Sequence, residues 1–211
     1  MKKNHKITEI QFKRNNIVKI FIDEKIFVET DNIVISNFDL YIGKEVSTEI
    51  VEKLRQKGDF SRAKIDVIRF LSYRPRSERE ICIKLKRKNY PDITIKQTIA
   101  WLLEKNLLND REFSKMWIKG RMANKPVGKI KIKKELEQKG INSNIIEDVI
   151  KNFFEKDTDE LEVAHKFIEN KRKSLKLKNI KLEPKKAINI LKNRGFSYNV
   201  INSIYNDFFN D

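Results

Sequence analysis

The sequence predicts a mainly α-helical protein, with three tandem three-helix, helix-turn-helix-like repeats in an elongated array behind a small β-rich N-terminal segment. Three observations support this fold class. Patterns typical of β-strands are confined to residues 1–46. The rest of the chain places apolar residues at helical spacing between residues that start and stop helices. That helical pattern then recurs, so each unit is expected to bury apolar surface within itself and against its neighbours.

Residues 1–46 are expected to form the small β-rich domain. β-branched and aromatic residues dominate the runs 17–22 and 26–28, and the polar residues 23–25 separate them. Such runs with a short polar turn between them are typical of hairpins, so we predict two or three short antiparallel strands. The segment 32–40 fits either a strand or a short helix.

The change to helical spacing begins directly after this domain. A short connecting helix is expected over 47–59, ending near Gly58. Further along, Pro184 suits the first turn of a helix, where its missing N–H costs nothing. Gly140 and Gly195 each follow a helical stretch and suit the left-handed conformation that ends helices.

The internal repeat is the main feature of the remaining chain. Leu85, Leu136 and Leu191 begin similar six-residue segments at offsets of 51 and 55, and each segment leads without a gap into a second apolar set. The i, i+4, i+7, i+8 spacing of that second set is one face of a helix. The repeats are therefore predicted at 60–108, 109–156 and 157–211. Their helices are expected at about residues 60–73, 77–88 and 93–105; 110–123, 128–139 and 143–155; and 158–173, 184–194 and 198–209.

Several classes of protein and site are not supported. The longest apolar run, 99–103, is far shorter than the ~20 residues of a membrane span, and no apolar segment of signal-peptide length follows the N-terminus. A single cysteine, Cys82, excludes an internal disulfide and any Cys-rich metal site. His5 and His165 are isolated, and no Gly-rich phosphate loop occurs. We expect a cytoplasmic, non-enzymatic protein without catalytic, cofactor or metal sites.

The charge points to a polyanionic partner. The chain holds 46 Lys and Arg against 30 Asp and Glu, a net charge of +16. Residues 1–59 carry +1, and the three repeats carry +7, +5 and +3 in order. An excess of this size on a repeated array suits nucleic acid or a nucleoprotein.

The candidate contact residues surround the second helix of the first two repeats. The alternative is that these cations lie on a solvated helix face, where those near the helix C-terminus interact favourably with the macrodipole. In repeat one the candidates are Arg74, Arg76, Lys84, Arg87 and Lys88; in repeat two they are Arg121, Lys125, Lys129 and Lys133.

Several motifs together resemble the RecX family of recombinase regulators. They are LSYRPRSERE at 71–80, LLNDREF at 107–113, PVGK at 126–129 and ELEQKGI at 135–141. The resemblance is strong over 60–155 and weak in the third repeat, where Pro184 does not keep the offset of Pro75 and Pro126. The β-rich N-terminus is similar to the extension of longer members from low-GC Gram-positive bacteria.

The resemblance implies a curved array and a non-enzymatic modulator, expected to be an inhibitor, of RecA recombinase filaments on single-stranded DNA. Such a protein would regulate recombination and DNA repair by binding along the filament groove. We expect a monomer with weak direct binding to DNA. The alternative is a stand-alone DNA-binding protein of the helix-turn-helix type, and a nuclease is a minor third hypothesis.

Overall fold

The structure is a computed structural model that describes residues 4–14 and 16–209. The chain divides into two compact units. The first comprises residues 1–76 and 80–108, and the second comprises residues 77–79 and 109–211. Each unit has two separate hydrophobic clusters. The predicted division into an N-terminal domain, a connecting helix and three repeats stays a prediction.

An antiparallel sheet forms the N-terminal part of the first unit. Its described strands, β1 to β4, are Asn4–Phe12, Ile17–Ile22, Ile26–Asp31 and Glu45–Ser47, in the spatial order β3-β2-β1-β4. The predicted short antiparallel strands are confirmed, and β4 is an addition that the sequence pattern did not indicate. The ambiguous segment forms a short helix, α1, over Ile33–Asn37.

The long helix α2, Thr48–Tyr73, packs against this sheet. The expected helix end near Gly58 is wrong, because α2 runs through that residue without a break. A Cβ atom at Gly58 would lie 2.5 Å from the carbonyl oxygen of Glu29 in β3. Glycine is therefore required here for the close approach of helix and strand, at the cost of some helix propensity.

The helical pattern of the repeats is confirmed, and the fold is mainly α. Helices α3 to α7 are Glu78–Arg87, Asp92–Glu104, Asp110–Asn124, Lys129–Gln138 and Ser143–Asn152. A π-helical turn, Phe153–Asp157, follows α7, and then α8 to α10 are Glu160–Lys176, Pro184–Asn193 and Tyr198–Phe209. None of the helices in the described part of the chain is both long and apolar enough to span a bilayer.

Equivalent apolar positions of the three repeats are buried in their respective clusters. Leu85, Leu136 and Leu191 are each at most 1% exposed. Leu103 departs from the pattern, since 48% of it is exposed although the spacing placed it on the apolar face. Thr98 is buried instead, and its hydroxyl donates to the carbonyl of Thr94 at 2.7 Å. A threonine whose hydroxyl is hydrogen-bonded within its own helix can be buried, but a pattern of apolar residues does not indicate this.

Carboxylates at the start of α5 and α8 accept hydrogen bonds from the first residues of other helices. Glu160 is 2% exposed and accepts hydrogen bonds from the backbone N–H of Lys129 and from the hydroxyl of Ser197, both at 2.9 Å. Asp110 accepts from the backbone N–H of Glu78, also at 2.9 Å. The same type of contact therefore begins α3 and α6, and it supplies the acceptor that their first N–H groups need.

Candidate polyanion-binding surface

The candidate cations of the first unit surround α3. Ile81 and Leu85 are fully buried, so the basic side chains of this helix are directed away from the core. Two of the candidates precede the helix and three lie in or just after its last turn. Arg74, Arg87 and Lys88 are exposed, whereas Arg76 and Lys84 are half-buried.

Two of these cations share one aromatic ring. The guanidinium carbon of Arg76 lies 3.9 Å from the centroid of the Phe70 ring, and the ammonium of Lys84 lies 5.4 Å from it. Burial, followed by the neighbouring charge of Arg74, lowers the pKa of Arg76, although an arginine stays charged in a protein. Within the described residues neither Arg76 nor Lys84 has a carboxylate within 4.0 Å. The ring holds two positive charges close together, where they can attract an external anion.

The candidate cations at the two ends of α3, Arg74 and Lys88, form ion pairs with acidic side chains. Arg74 donates to both carboxylate oxygens of Glu80 at 3.0 Å. Lys88 donates to Asp66 at 2.5 Å, and the hydroxyl of Tyr90 donates to the same carboxylate at 2.8 Å. These cations are partly neutralised, and a partner would have to compete with an intramolecular ion pair.

The pKa of Asp66, the acidic partner of Lys88, is also shifted. Partial burial by itself would raise the pKa of Asp66, but the hydrogen bonds from Lys88 and Tyr90 outweigh it and hold that pKa below its ordinary value of 3.8. Burial and the same hydrogen bond raise the pKa of Tyr90. Asp66 therefore remains ionised at neutral pH and keeps Lys88 engaged.

In the second unit, three of the four candidates face carboxylates. Arg121 donates to Glu135 at 2.7 Å, and the indole N–H of Trp117 donates to the other oxygen of that carboxylate at 3.0 Å. The ammonium of Lys129 lies 3.8 Å from Glu160. The ammonium of Lys133 lies 4.0 Å from Glu147. Lys125 is exposed and, among the described residues, has no carboxylate within 4.0 Å.

The structure thus separates the nine candidates into two groups. Five are ion-paired, and the four without a described acidic partner are Arg76, Lys84, Arg87 and Lys125. Four of the five ion pairs join residues that are 14 or more positions apart in the sequence, for example Asp66 with Lys88, so no local pattern could have indicated them. Sequence analysis also missed a basic segment at 171–181, in the third predicted repeat.

The described residues contain no group of three or more His, Cys, Asp or Glu side chains placed to hold a metal ion. His5 pairs with Asp23 at 2.6 Å, and His165 pairs with Asp207 at 2.8 Å. Cys82 is half-buried and packs against the hydrophobic cluster of α3 and α4. The chemistry that the surface offers is electrostatic and hydrogen-bonding recognition of an anion.

Comparisons with known proteins show to which family the chain is similar. The family models for the first and second three-helix domains of RecX match residues 63–102 and 109–150. The regulatory protein RecX of Clostridium perfringens is 31% identical over 205 residues, which is 94% of each chain. The regulatory protein RecX of Bacillus velezensis is 32% identical over 200 residues, covering 93% of this chain and 75% of that protein.

Solved structures give the same result. A crystal structure of regulatory protein RecX superimposes with a TM-score of 0.72 at 25% identity, covering 96% of this chain and 99% of that one. The crystal structure of RecX from Lactobacillus salivarius has a TM-score of 0.60 at 25% identity and covers 71% of this chain. Identity above 30% over nearly the whole length, joined to the same helical domains, shows that the chain belongs to the RecX family of regulatory proteins.

Proposed function

We propose that this chain is a non-enzymatic modulator of RecA recombinase filaments on single-stranded DNA, and that it inhibits the recombinase by binding along the filament groove. Membership of a family of regulatory proteins supports a regulatory role. The filament is long, periodic and anionic. Repeated basic helices could contact it at several points, which raises the overall affinity without requiring any single strong contact.

The observation that carries the proposal is the outward-facing cation cluster of α3, part of which has no acidic partner. The side chains of Arg76 and Lys84 both contact the Phe70 ring. Arg87, the last residue of α3, is exposed. Because these cations are already held close together, little further ordering of their side chains is needed when an anion binds. The cluster therefore favours an anionic partner.

The test reverses charges at cations that have no described acidic partner. The variant combines Lys84→Glu, Arg87→Glu and Lys125→Glu. Each lost ionic contact is worth about 0.5–1 kcal/mol, so three should raise the concentration for half-maximal inhibition of recombinase ATP turnover at least about tenfold. The measurement is ATP hydrolysis by the recombinase on single-stranded DNA, with helicity checked by circular dichroism.

A matched control carries the same change of net charge on other helices. It combines Arg55→Glu, Lys96→Glu and Lys119→Glu, three exposed side chains with no described ion pair. The control should inhibit as the unmodified protein does. Equal loss in both variants would mean that only bulk charge matters, and undiminished inhibition by the first variant would refute the assignment.

The second candidate function is a stand-alone DNA-binding protein, which the three-helix units favour because they are similar to helix-turn-helix domains. It predicts tight, sequence-dependent binding to duplex DNA without the recombinase. Co-sedimentation with recombinase filaments, with bare DNA and bare recombinase as controls, separates the two. Strong pelleting with the filament and weak, sequence-indifferent binding to DNA would favour the modulator.

A further inference from the structure

The basic segment 171–181 of the second unit lies where the third predicted repeat departs from the other two. The connection between α5 and α6 is the four residues 125–128, whereas the connection between α8 and α9 is the seven residues 177–183. The segment contains six Lys and Arg residues and no Asp or Glu. The modest +3 of the third repeat therefore conceals a local charge of +6.

The cations of this segment are not neutralised within the described part of the chain. None of the six has a carboxylate within 4.0 Å there, in contrast to five of the nine candidates around α3 and α6. Two of them, Lys173 and Lys176, lie in the last turn of α8, where they also offset the helix dipole. That local role leaves most of the positive charge available to an external anion.

The segment is held in a defined conformation. Leu175 and Leu182 pack into the hydrophobic cluster of α8 to α10 on either side of the turn. The carbonyl of Leu175 accepts the backbone N–H of Ile180 at 3.0 Å, and Asn179 takes the left-handed conformation with φ of 55°. The guanidinium of Arg172 lies 5.2 Å from the ring centroid of Phe208. Anchored on both sides, the turn presents its cations without a large ordering cost on binding.

The cations surround a concave site. A cavity of about 380 Å³ is lined by four cations and three other residues: Arg172, Lys173, Lys176, Lys181, Asn179, Ile180 and Leu182. This volume lies in the range of small-ligand sites, about 300–1,000 Å³, and it is sufficient for a phosphodiester group with its sugar. We propose that this pocket and its turn form a binding site for the phosphate backbone of single-stranded DNA.

The apolar side chains at the turn favour nucleic acid over a lipid surface. An interfacial membrane helix needs a continuous exposed apolar face, but the apolar face of α8 is buried, with Ala164 and Ile168 fully inaccessible. Leu177, which lies between two lysines, is 88% exposed, and Ile180 is 49% exposed. Two separate apolar side chains beside a row of cations can contact the sugars and bases of a strand whose phosphates bind the cations.

The test measures binding of the full-length protein to a fluorescent single-stranded oligothymidine of 20 nucleotides, by anisotropy, without any recombinase. The variant combines Arg172→Glu, Lys173→Glu and Lys176→Glu. Each phosphate contact on a single strand adds about 0.7 to the slope of log affinity against log salt. Loss of three contacts should lower that slope by about 2 and weaken binding at least about tenfold.

Two further variants make the result specific. A matched control, Lys151→Glu with Lys166→Glu and Lys192→Glu, changes the net charge equally at exposed cations of the same unit and should bind as the unmodified protein does. The neutral variant, Arg172→Gln with Lys173→Gln and Lys176→Gln, keeps helix-favouring side chains. It should show an intermediate loss of binding, with a thermal midpoint lowered by no more than about 2–4 °C, so that the protein is still folded at the temperature of the binding measurement.

The outcomes are distinct. Unchanged DNA binding in both pocket variants, or equal losses in the pocket and control variants, would overturn the site. Loss of binding to anionic phosphatidylserine vesicles, with DNA binding retained, would overturn it in favour of a membrane surface. The inference rests on the proposed function only for its choice of single-stranded DNA as partner. Failure to inhibit the recombinase, with pocket-dependent DNA binding intact, would therefore remove the proposed function and leave this site standing.

Discussion

At the scale of single residues, the carboxylates of this protein act mainly as internal partners for N–H groups and cations. Glu160 is the extreme case, because it is 2% exposed and accepts hydrogen bonds at the starts of both α6 and α10. The ammonium of Lys129, at 3.8 Å, is the nearest described cation to this carboxylate. A buried carboxylate is tolerated only when its oxygens are occupied in this way.

Replacing this carboxylate by an amide tests its role. Glu160→Gln keeps the shape but places an NH₂ group against N–H donors, so we expect a loss of about 1–3 kcal/mol in the free energy of unfolding. Urea denaturation followed by circular dichroism measures the change. Glu162→Gln, on the exposed side of the same helix, should cost no more than about 0.5 kcal/mol. Equal effects would show that Glu160 has no special capping role.

Asp66 gives the protein a predictable acid response. Its pKa is below the ordinary 3.8 in the folded protein, so its ionised form adds stability that is fully present above that pH and is lost as the pH falls through the lower folded pKa. Asp66→Asn should reduce the free energy of unfolding by about 1–2 kcal/mol at neutral pH, and this difference should narrow as the pH falls below about 4.

Unfolding by urea between pH 7 and pH 2.5 checks this expectation. The control is Asp92→Asn, which removes an exposed carboxylate 3.8 Å from Lys86 and should change stability by only a few tenths of a kcal/mol. A difference between the Asp66 variant and the unmodified protein that grows on acidification would contradict the assigned direction of the pKa shift.

At the scale of elements, five helices end in the same way. A residue two or three positions after the last helical residue takes a left-handed conformation, and the next N–H bonds back to a carbonyl five residues earlier, as in Ile141 to Leu136 at 3.1 Å. The left-handed residues are Asn89, Asn106, Gly140, Asn179 and Gly195. Asparagine and glycine both tolerate this conformation, so helix geometry alone does not explain which is used.

Tertiary contacts explain the two glycines. A Cβ atom at Gly140 would lie 2.4 Å from the Arg79 side chain, and one at Gly195 would lie 2.5 Å from the backbone nitrogen of Lys131. Real Cβ atoms do not approach other atoms so closely. Glycine therefore stands where another segment packs directly against the helix end.

Substitutions at Gly195 and Gly43 should differ strongly in their effect on stability. Gly195→Asn should destabilise the fold by about 1–3 kcal/mol, because the new side chain must displace backbone. Gly43→Asn also places asparagine at a positive φ, 94°, but nothing lies within 4 Å of the new Cβ atom. Gly43→Asn should therefore lower the free energy of unfolding clearly less than Gly195→Asn. Thermal unfolding should show a midpoint about 2–4 °C lower per kcal/mol lost. Equal midpoints for the two variants would contradict the packing explanation.

At the scale of the whole molecule, the basic side chains differ in how far they are neutralised. Of the nine candidates around α3 in the first unit and α6 in the second, five are paired with carboxylates. At the turn 171–181 none of the cations is paired within the described residues. The two charge-reversal experiments address these surfaces separately, and together they distinguish contacts to the filament from contacts to bare DNA.

The sequence by itself determined the helices, their repetition and the family, because burial of one apolar stripe leaves a periodic pattern in the residues. Leu85, Leu136 and Leu191 show this directly, since all three are buried as their spacing predicted. The sequence also located the excess charge on the repeats, and it correctly indicated the left-handed ends at Gly140 and Gly195.

Only the tertiary structure decided which cations are available and why Gly58 lies inside a helix. Asp66 meets Lys88, and Glu135 meets Arg121, across separate helices, so their pairing depends on how the chain folds back rather than on local spacing. The close approach of Glu29 to Gly58 has the same origin. Charge and propensity are properties of a residue and its neighbours in sequence, whereas neutralisation and steric fit depend on neighbours in space.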